Sequence, residues 1–139
     1  MKKRHVVLDT NCLVQSLPSK SIYHKIWEDF LEGKYILCVS NEILNEYEEI
    51  ITRYSSPQVA KNVVDAIAHS PHTLYKESYF KFRLITQDPD DNKFVDCAVA
   101  ANAEYIVTND SHFNILKEID WPKVAVITIK EFAQQIADE

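Results

Sequence analysis

The sequence predicts an α/β fold, a three-layer α/β/α sandwich around a mostly parallel central sheet. Short apolar runs alternate along the chain with longer segments whose apolar residues recur at the 3.6-residue period of a helix. The apolar runs are continuous rather than alternating, which is typical of parallel strands that helices cover on both faces. Strands and helices that alternate in this way form doubly wound sandwiches.

Each predicted element follows from its pattern. Continuous apolar runs predict strands at 6–8, 35–39, 105–107 and 124–129, with 6–8 and 105–107 as central strands. Helical periodicity predicts helices at about 21–32, 41–54, 57–69, 91–103 and 129–138. Segment 73–87 has a weaker pattern, and we expect a short strand there near Leu84 and Ile85.

Length and composition restrict the class of protein. A chain of 139 residues that is 46% hydrophobic can bury a core of its own, so we expect a single domain over 1–139. Its only glycine is Gly33, which argues against glycine-rich phosphate loops. Three widely spaced cysteines without zinc-site spacing indicate buried thiols. The apolar run after Arg4 is too short for a signal peptide or a membrane span, so we expect a cytoplasmic protein without membrane contact.

The net charge argues against one class of nucleic-acid binder. With 15 basic and 21 acidic residues the formal charge is −6, whereas simple DNA-binding modules are usually basic because phosphate contacts supply their affinity. A nuclease remains compatible with this charge, because its own metal-binding carboxylates add to the negative count.

Two acids directly follow predicted strands. Asp9 ends the run Val7-Leu8-Asp9, and Asp110 follows the strand that ends near Thr108. In doubly wound folds the functional site lies beyond the carboxyl ends of the strands. The competing interpretation of both acids is that each caps the short segment after it.

Two further acids lie on predicted helices. Glu46 falls at the border of the apolar stripe of helix 41–54, so it can face the sheet edge, although an ordinary solvated glutamate is the alternative. Asp91 lies three and four residues before Phe94 and Val95, on the buried face of its helix. Asp96 projects roughly opposite that face, so we expect it to be solvated or to play a supporting role. Acids at a helix N-terminus also interact favourably with the helix dipole, which is the alternative for Asp91.

The four acids together predict a metal site. Carboxylates that converge without a matching set of Lys or Arg repel one another strongly. Bound Mg²⁺ or Mn²⁺ would relieve the repulsion, because hard divalent ions prefer oxygen ligands. Such a site can activate water for phosphodiester cleavage.

Four short motifs resemble the PIN-domain family, in particular the prokaryotic, VapC-like PIN proteins that are the toxins of toxin–antitoxin pairs. The motifs are Val6–Asn11, Ser40–Glu46, the acidic turn and Ala-rich helix from Asp88 to Ala103, and Ile106–Asp110. Ser40 and Ile43 are separated by one fewer residue than in some members of the family.

The resemblance implies a site and an activity. It assigns the catalytic, metal-binding quartet to Asp9, Glu46, Asp91 and Asp110, with Thr10 and Asn11 supporting the first acid and Thr108 the last. The additional carboxylate of Asp96 leaves the third position ambiguous. The family implies a Mg²⁺- or Mn²⁺-dependent endoribonuclease that prefers single-stranded RNA and is silenced by an antitoxin protein.

The distribution of cations predicts the oligomeric state. An acidic PIN toxin needs positive charge from a local rim or from a second protomer to hold RNA. The rim candidates are scattered along the sequence, and we therefore expect a homodimer. They are Lys3, Arg4, Lys20, Lys25, Arg53 and Lys93.

Other functional classes fit less well. A receiver domain of a signalling system needs paired acids after an early strand and a lysine after a late one, and Asp110 stands where that lysine would be. The sequence lacks the glycines that a dinucleotide-binding enzyme needs. It also lacks the nucleophile elbow of a serine or cysteine hydrolase. A degenerate PIN fold that only binds partners is a further alternative, against which the retained acids argue. The histidines show no ligand spacing, and His112 is the one placed to touch substrate.

Overall fold

The computed structural model describes residues 3–137. Within this range five strands form one all-parallel sheet in the order β3-β2-β1-β4-β5. The strands are β1 His5–Leu8, β2 Ile36–Val39, β3 Thr73–Tyr75, β4 Tyr105–Val107 and β5 Val126–Ile127. The chain runs outward from β1 in one direction through β2 and β3, and in the other through β4 and β5. This reversal of strand order creates a switch point between β1 and β4, where α/β folds place their sites.

Six α-helices complete the α/β/α sandwich in the described part of the chain. They are α1 Thr10–Ser16, α2 His24–Leu31, α3 Asn41–Tyr54, α4 Pro57–Ala68, α5 Asn92–Ala100 and α6 Ile129–Ala137. A 3₁₀ turn at Pro89–Asp91 leads into α5, and a longer 3₁₀ segment at Ser111–Glu118 connects β4 to β5. Among residues 3–137 no helix is both long and apolar enough to cross a membrane.

The predicted sandwich and its two central strands are confirmed. The strand predicted near Leu84 and Ile85 is wrong, because the third strand lies at Thr73–Tyr75, where it pairs with β2 at the sheet edge. This strand has only three residues and lies partly exposed at the edge of the sheet. Its apolar pattern is therefore too short for a strand to be predicted from the sequence. Helix α1 was not predicted, since seven residues are too few for a clear period.

The other elements differ from prediction at their ends. Helix α5 ends at Ala100, just before Asn102, whose φ of 52° is incompatible with a continued right-handed helix. Helix α2 begins at His24 instead of residue 21, and β5 covers only two residues of the predicted 124–129. Residue 138, the predicted end of the last helix, lies outside the described residues.

The core forms around β1 and β2. Val6, Val7 and Leu37 are fully buried, and large rings such as Phe30 and Phe94 fill the space between sheet and helices. Cys12, Cys38 and Cys97 are free and buried, as expected. The hydroxyl of Tyr47 on α3 donates to the carbonyl of Leu8 at 2.6 Å. This hydrogen bond fixes α3 against the end of β1, directly before Asp9.

Residues 76–88 connect β3 to the 3₁₀ turn without regular secondary structure. Three contacts attach this connection to the fold. The carboxylate of Glu77 accepts from the backbone N–H of Asn41, and that of Asp96 accepts from the N–H of Phe82. The side chain of Asn92 both accepts from and donates to the backbone of Ile85. The connection is therefore held against the first turns of α3 and α5.

Candidate active site

Asp9 is fixed at the carboxyl end of β1. It is the N-cap of α1, and its Oδ1 accepts from the backbone N–H of Cys12 at 2.8 Å. Its Oδ2 accepts from the hydroxyl of Thr108. Burial raises the pKa of Asp9, while the hydrogen bonds from Thr108 and Cys12 oppose that rise. Asp9 therefore caps α1, as the competing interpretation expected, and its carboxylate lies at the switch point as well.

Asp110 lies beside it, after the neighbouring strand β4. Its Oδ1 accepts from the backbone N–H of His112 at 2.9 Å, so it caps the 3₁₀ segment. Its own N–H donates to Oγ1 of Thr108 at 3.0 Å. Thr108 thus connects both strand-end acids, whereas we expected it to support only Asp110.

Asp91 faces the same edge from the start of α5. Its side chain makes no capping hydrogen bond and is 17% exposed. Burial, followed by the negative charges of Asp88 and Asp110, raises its pKa to about 7, and His112 works in the opposite direction. Asp9 also contributes to the rise. The structure therefore brings Asp9, Asp91 and Asp110 within electrostatic reach of one another.

Glu46 approaches from α3, and its partners differ from those of the other acids. Its carboxylate accepts from the hydroxyl of Thr10 and pairs with Nζ of Lys93 at 2.8 Å. Lys93 is only 9% exposed and also contacts Asp90 at 3.2 Å. Thr10 supports Glu46, although we expected it to support Asp9. The expectation that the acids converge without a basic partner is wrong for Glu46.

Asp96 does not face the cluster, and the expectation that it is solvated is wrong. Asp96 is only 3% exposed, and residues 76–88 contact it through Phe82. Its Oδ1 accepts from the N–H of Phe82 at 3.2 Å. Helical phase separates Asp96 from Asp91, but the periodicity of α5 does not reveal that Phe82 contacts Asp96.

A cleft of about 400 Å³ opens beside the strand ends. Asp9 and Asp110 line it together with the exposed side chain of Asn11. Its remaining lining comes from α1, the end of α3 and Asn109. Asp9 and Asp110 therefore border a cleft that is open to solvent.

Sequence reasoning missed Asp88 and gave His112 only a minor role. One ligand atom from each of Asp88, Asp91 and His112 lies within 4.8 Å of the others. Nδ1 of His112 is 3.5 Å from Asp110 and 3.7 Å from Asp91, beyond hydrogen-bond length. Both Nδ1 of His112 and Oδ2 of Asp91 are buried without a hydrogen-bond partner among residues 3–137. The spacing of Asp88 to Asp91 and of Asp110 to His112 was the only sequence signal for this group.

Half of the six expected rim cations pair with acids that are not part of the proposed site. Arg4 pairs with Glu104, Lys25 with Asp29 and Arg53 with Glu49. Lys93 lies inside the site rather than on a rim. The exposed cations near α5 are instead Lys81 and Arg83, on residues 76–88, which were not among the candidates.

Comparison with known proteins identifies the family. A family model described as PIN domain matches residues 5–112, a range that includes every acid of the site. The chain belongs to the PIN-domain family. No curated protein matches this PIN domain.

Two solved structures share its fold. One is a chain of the crystal structure of VapBC2 from Rickettsia felis bound to a DNA fragment from their promoter, with a TM-score of 0.59 and 17% identity, covering 89% of this chain and 98% of that chain. The other is the PIN domain endonuclease Utp24, with a TM-score of 0.52 and 19% identity, covering 89% of this chain and 84% of that chain.

Proposed function

We propose that this PIN domain is a metal-dependent endoribonuclease that cleaves phosphodiester bonds of cytoplasmic RNA and is the toxin of a toxin–antitoxin pair. The observation that carries the proposal is the cluster of Asp9, Asp91 and Asp110 at the switch point, where burial and then the charges of Asp88, Asp110 and Asp9 raise the pKa of Asp91 to about 7. Membership of the PIN-domain family supports a nuclease activity.

The donor set suits Mg²⁺ or Mn²⁺. Carboxylate oxygens are the ligands that these ions prefer, and Oδ2 of Asp91 is a buried acceptor without a hydrogen-bond donor in the described chain. We assign Asp9, Asp91 and Asp110 as ligands, with Glu46 helping to hold this ion or a second one. When bound, the ion would lower the pKa of a water and neutralise charge that develops on the scissile phosphate.

The neighbouring side chains keep the acids in position. The hydroxyl of Thr108 and the N–H of Cys12 hold both oxygens of Asp9, which fixes the direction of the carboxylate. Thr10 and Lys93 do the same for Glu46, and the ammonium of Lys93 neutralises part of the charge of the site. Such partners hold ligands in the geometry that binding needs.

A cleavage assay on single-stranded RNA with Mn²⁺ tests the proposal. Asp9→Asn and Asp91→Asn keep the shape of each side chain but remove a ligand charge, so we expect each to lower the single-turnover rate by at least about 100-fold. Asp65→Asn, in an exposed ion pair on α4, is the matched control and should cleave normally. Asp96→Asn should do much less than Asp91→Asn, because Asp96 accepts from Phe82 instead of facing the cluster.

Two outcomes would contradict these assignments. If Asp96→Asn is inactive while Asp91→Asn cleaves normally, the third acid is misassigned. If the wild-type chain cleaves no RNA with either Mn²⁺ or Mg²⁺, the chain is a binding module that retains the fold without the activity.

The toxin role is supported by the shared fold with a chain of the R. felis VapBC2 structure. We expect an antitoxin protein encoded in the neighbouring reading frame. Expression of the wild-type chain alone should arrest growth, and coexpression of that neighbour should relieve the arrest. If Asp91→Asn arrests growth as strongly as the wild-type chain does, the toxicity does not come from RNA cleavage.

A further inference from the structure

Aromatic side chains are exposed on residues 79–82 and at Trp121. Tyr79 is 96% exposed, Phe80 73% and Trp121 80%. The rings of Phe80 and Phe82 lie 6.1 Å apart at 27°, and Phe82 meets Trp121 edge to face at 6.1 Å. Contiguous exposed apolar surface of this kind marks interaction sites. We call residues 79–83 together with Trp121 the aromatic strip.

Cations alternate with the rings along the strip. The sequence is Tyr79-Phe80-Lys81-Phe82-Arg83, and both basic side chains are exposed in a chain whose net charge is −6. Lys81 pairs with Glu42 at 3.2 Å, and Arg83 makes no ion pair within residues 3–137. The strip therefore combines flat apolar surface with local positive charge, against the overall sign of the molecule.

Hydrogen bonds to α5 attach the strip and the residues after it to the fold. The buried carboxylate of Asp96 accepts from the N–H of Phe82, and Asn92 makes two hydrogen bonds to Ile85, at 2.9 and 2.8 Å. Asn92 directly follows Asp91, so the start of α5 lies next to a proposed ligand and also holds Ile85, two residues after the strip. Within the strip, the backbone of Phe82 is bonded to α5 through Asp96.

A groove of about 450 Å³ is lined by residues of the strip and by residues around the start of α5. Lys81 and Arg83 contribute from the strip, Asp90 from the 3₁₀ turn and Lys93 from α5. Lys93 also pairs with Glu46, so one side chain separates the groove from an acid of the proposed site. A chain lying in the groove would contact the lysine that holds this acid.

We infer that the aromatic strip is a binding surface for single-stranded RNA, which it holds on one side of the scissile phosphate. Unpaired bases stack on aromatic rings without regard to sequence, and Lys or Arg between the rings pairs with the phosphates. Duplex RNA keeps its bases stacked inside and cannot use the rings. The inference rests on the proposed nuclease function for its biological role, but the binding itself is measurable without cleavage.

Binding of a short fluorescent single-stranded RNA in EDTA tests the strip apart from catalysis. We expect Phe80→Ala and Trp121→Ala to raise Kd by about 5- to 100-fold, the range for losing one stacked base. Arg83→Ala should reduce the slope of log K against log salt by about 0.7. Ile22→Ala, at an 85% exposed apolar residue elsewhere, and Lys61→Ala on α4 are matched controls that should bind as wild type does.

The outcomes separate the strip from the nuclease proposal. If the strip variants bind RNA as tightly as wild type, the inference is overturned even when the wild-type chain cleaves RNA. If binding weakens as expected but no variant or wild type cleaves with Mn²⁺, the strip is supported and the nuclease proposal fails. If the variants instead change the sedimentation coefficient and leave RNA binding intact, the strip is a protein interface and the inference is overturned.

Discussion

At the scale of single residues, capping and ligand geometry use the same carboxylates. Asp9 and Asp110 each cap a segment with one oxygen, and both capped segments begin where a parallel strand ends. A helix N-terminus stabilises a negative charge, which lowers the cost of keeping acids close together. Asp91 lacks such a hydrogen bond, and its pKa rises to about 7.

This difference predicts a pH dependence of stability. Because the folded-state pKa of Asp91 is raised above its ordinary value of 3.8, the metal-free folded chain binds more protons than the unfolded chain between about pH 4 and pH 7. Stability should therefore fall as pH rises through this window in EDTA. Asp91→Asn should raise the free energy of unfolding at pH 7 by about 1–3 kcal/mol and leave it nearly unchanged at pH 4.

Urea denaturation at both pH values, in EDTA, measures the effect. Asp65→Asn is the control: its pKa is lowered by Lys61, so this variant should not gain stability at neutral pH. Equal stability of wild type and Asp91→Asn at pH 7 would show that burial and the neighbouring acids do not destabilise the ionised carboxylate of Asp91. Added Mn²⁺ should stabilise the wild type more than the variant, since the variant lacks one ligand charge.

The positions of the acids could be predicted from sequence, but their partners could not. Asp9, Asp91 and Asp110 follow from strand ends and from helical phase, both of which are local patterns. The hydroxyl of Thr108 reaches Asp9 across 99 residues of sequence, and that contact exists only after β1 and β4 pair. Lys93 was expected on a rim. Its contact with Glu46 could not be predicted, because the distance between the two side chains depends on how α3 approaches α5.

At the scale of elements, the course of residues 76–88 could not be predicted from the periodicity of the sequence. The segment has neither helical nor strand pattern, and its course is set by hydrogen bonds to Asp96, Asn92 and the backbone of Asn41. The strand predicted at Leu84 and Ile85 used a real apolar signal, since Ile85 is buried. That burial comes from packing against the core beside α5 instead of from a place in the sheet.

Asn92 should therefore control the order of this segment. Asn92→Ala leaves the N–H and the carbonyl of Ile85 without partners in a buried position, so we expect a loss of about 2–4 kcal/mol in the free energy of unfolding. Amide exchange over residues 76–88 should become faster, while exchange in β1 and β2 should follow global stability alone. The measurements are urea denaturation and hydrogen exchange.

Asn62→Ala is the matched control, because Asn62 accepts from Gln58 in an exposed pair on α4. Its effect should stay below about 0.5 kcal/mol. If Asn92→Ala changes exchange no more in residues 76–88 than in the sheet, the hydrogen bonds to Ile85 do not set the course of the segment.

At the scale of the whole molecule, the strand order gathers acids at one edge of the sheet, while ion pairs within the chain engage many of the cations. The reversal of strand order at β1 brings Asp9 and Asp110 side by side, which concentrates negative charge at one edge. Many cations are meanwhile used in pairs within the chain, such as Lys25 and Lys34 with Asp29 and Lys61 with Asp65. The positive surface that one chain offers to RNA near its site is therefore small.

A homodimer would join two such surfaces, and this remains a prediction. With a net charge of −6 per chain, long-range repulsion opposes RNA, so affinity depends on how many local cations one RNA strand can reach. Two aromatic strips with their Lys81 and Arg83 double that number. We expect sedimentation velocity at micromolar concentration to give a dimer, and RNA affinity to fall when dilution dissociates it. A monomer at micromolar concentration that binds and cleaves single-stranded RNA at the full rate would contradict this, because one chain would then supply all the cations that the substrate needs.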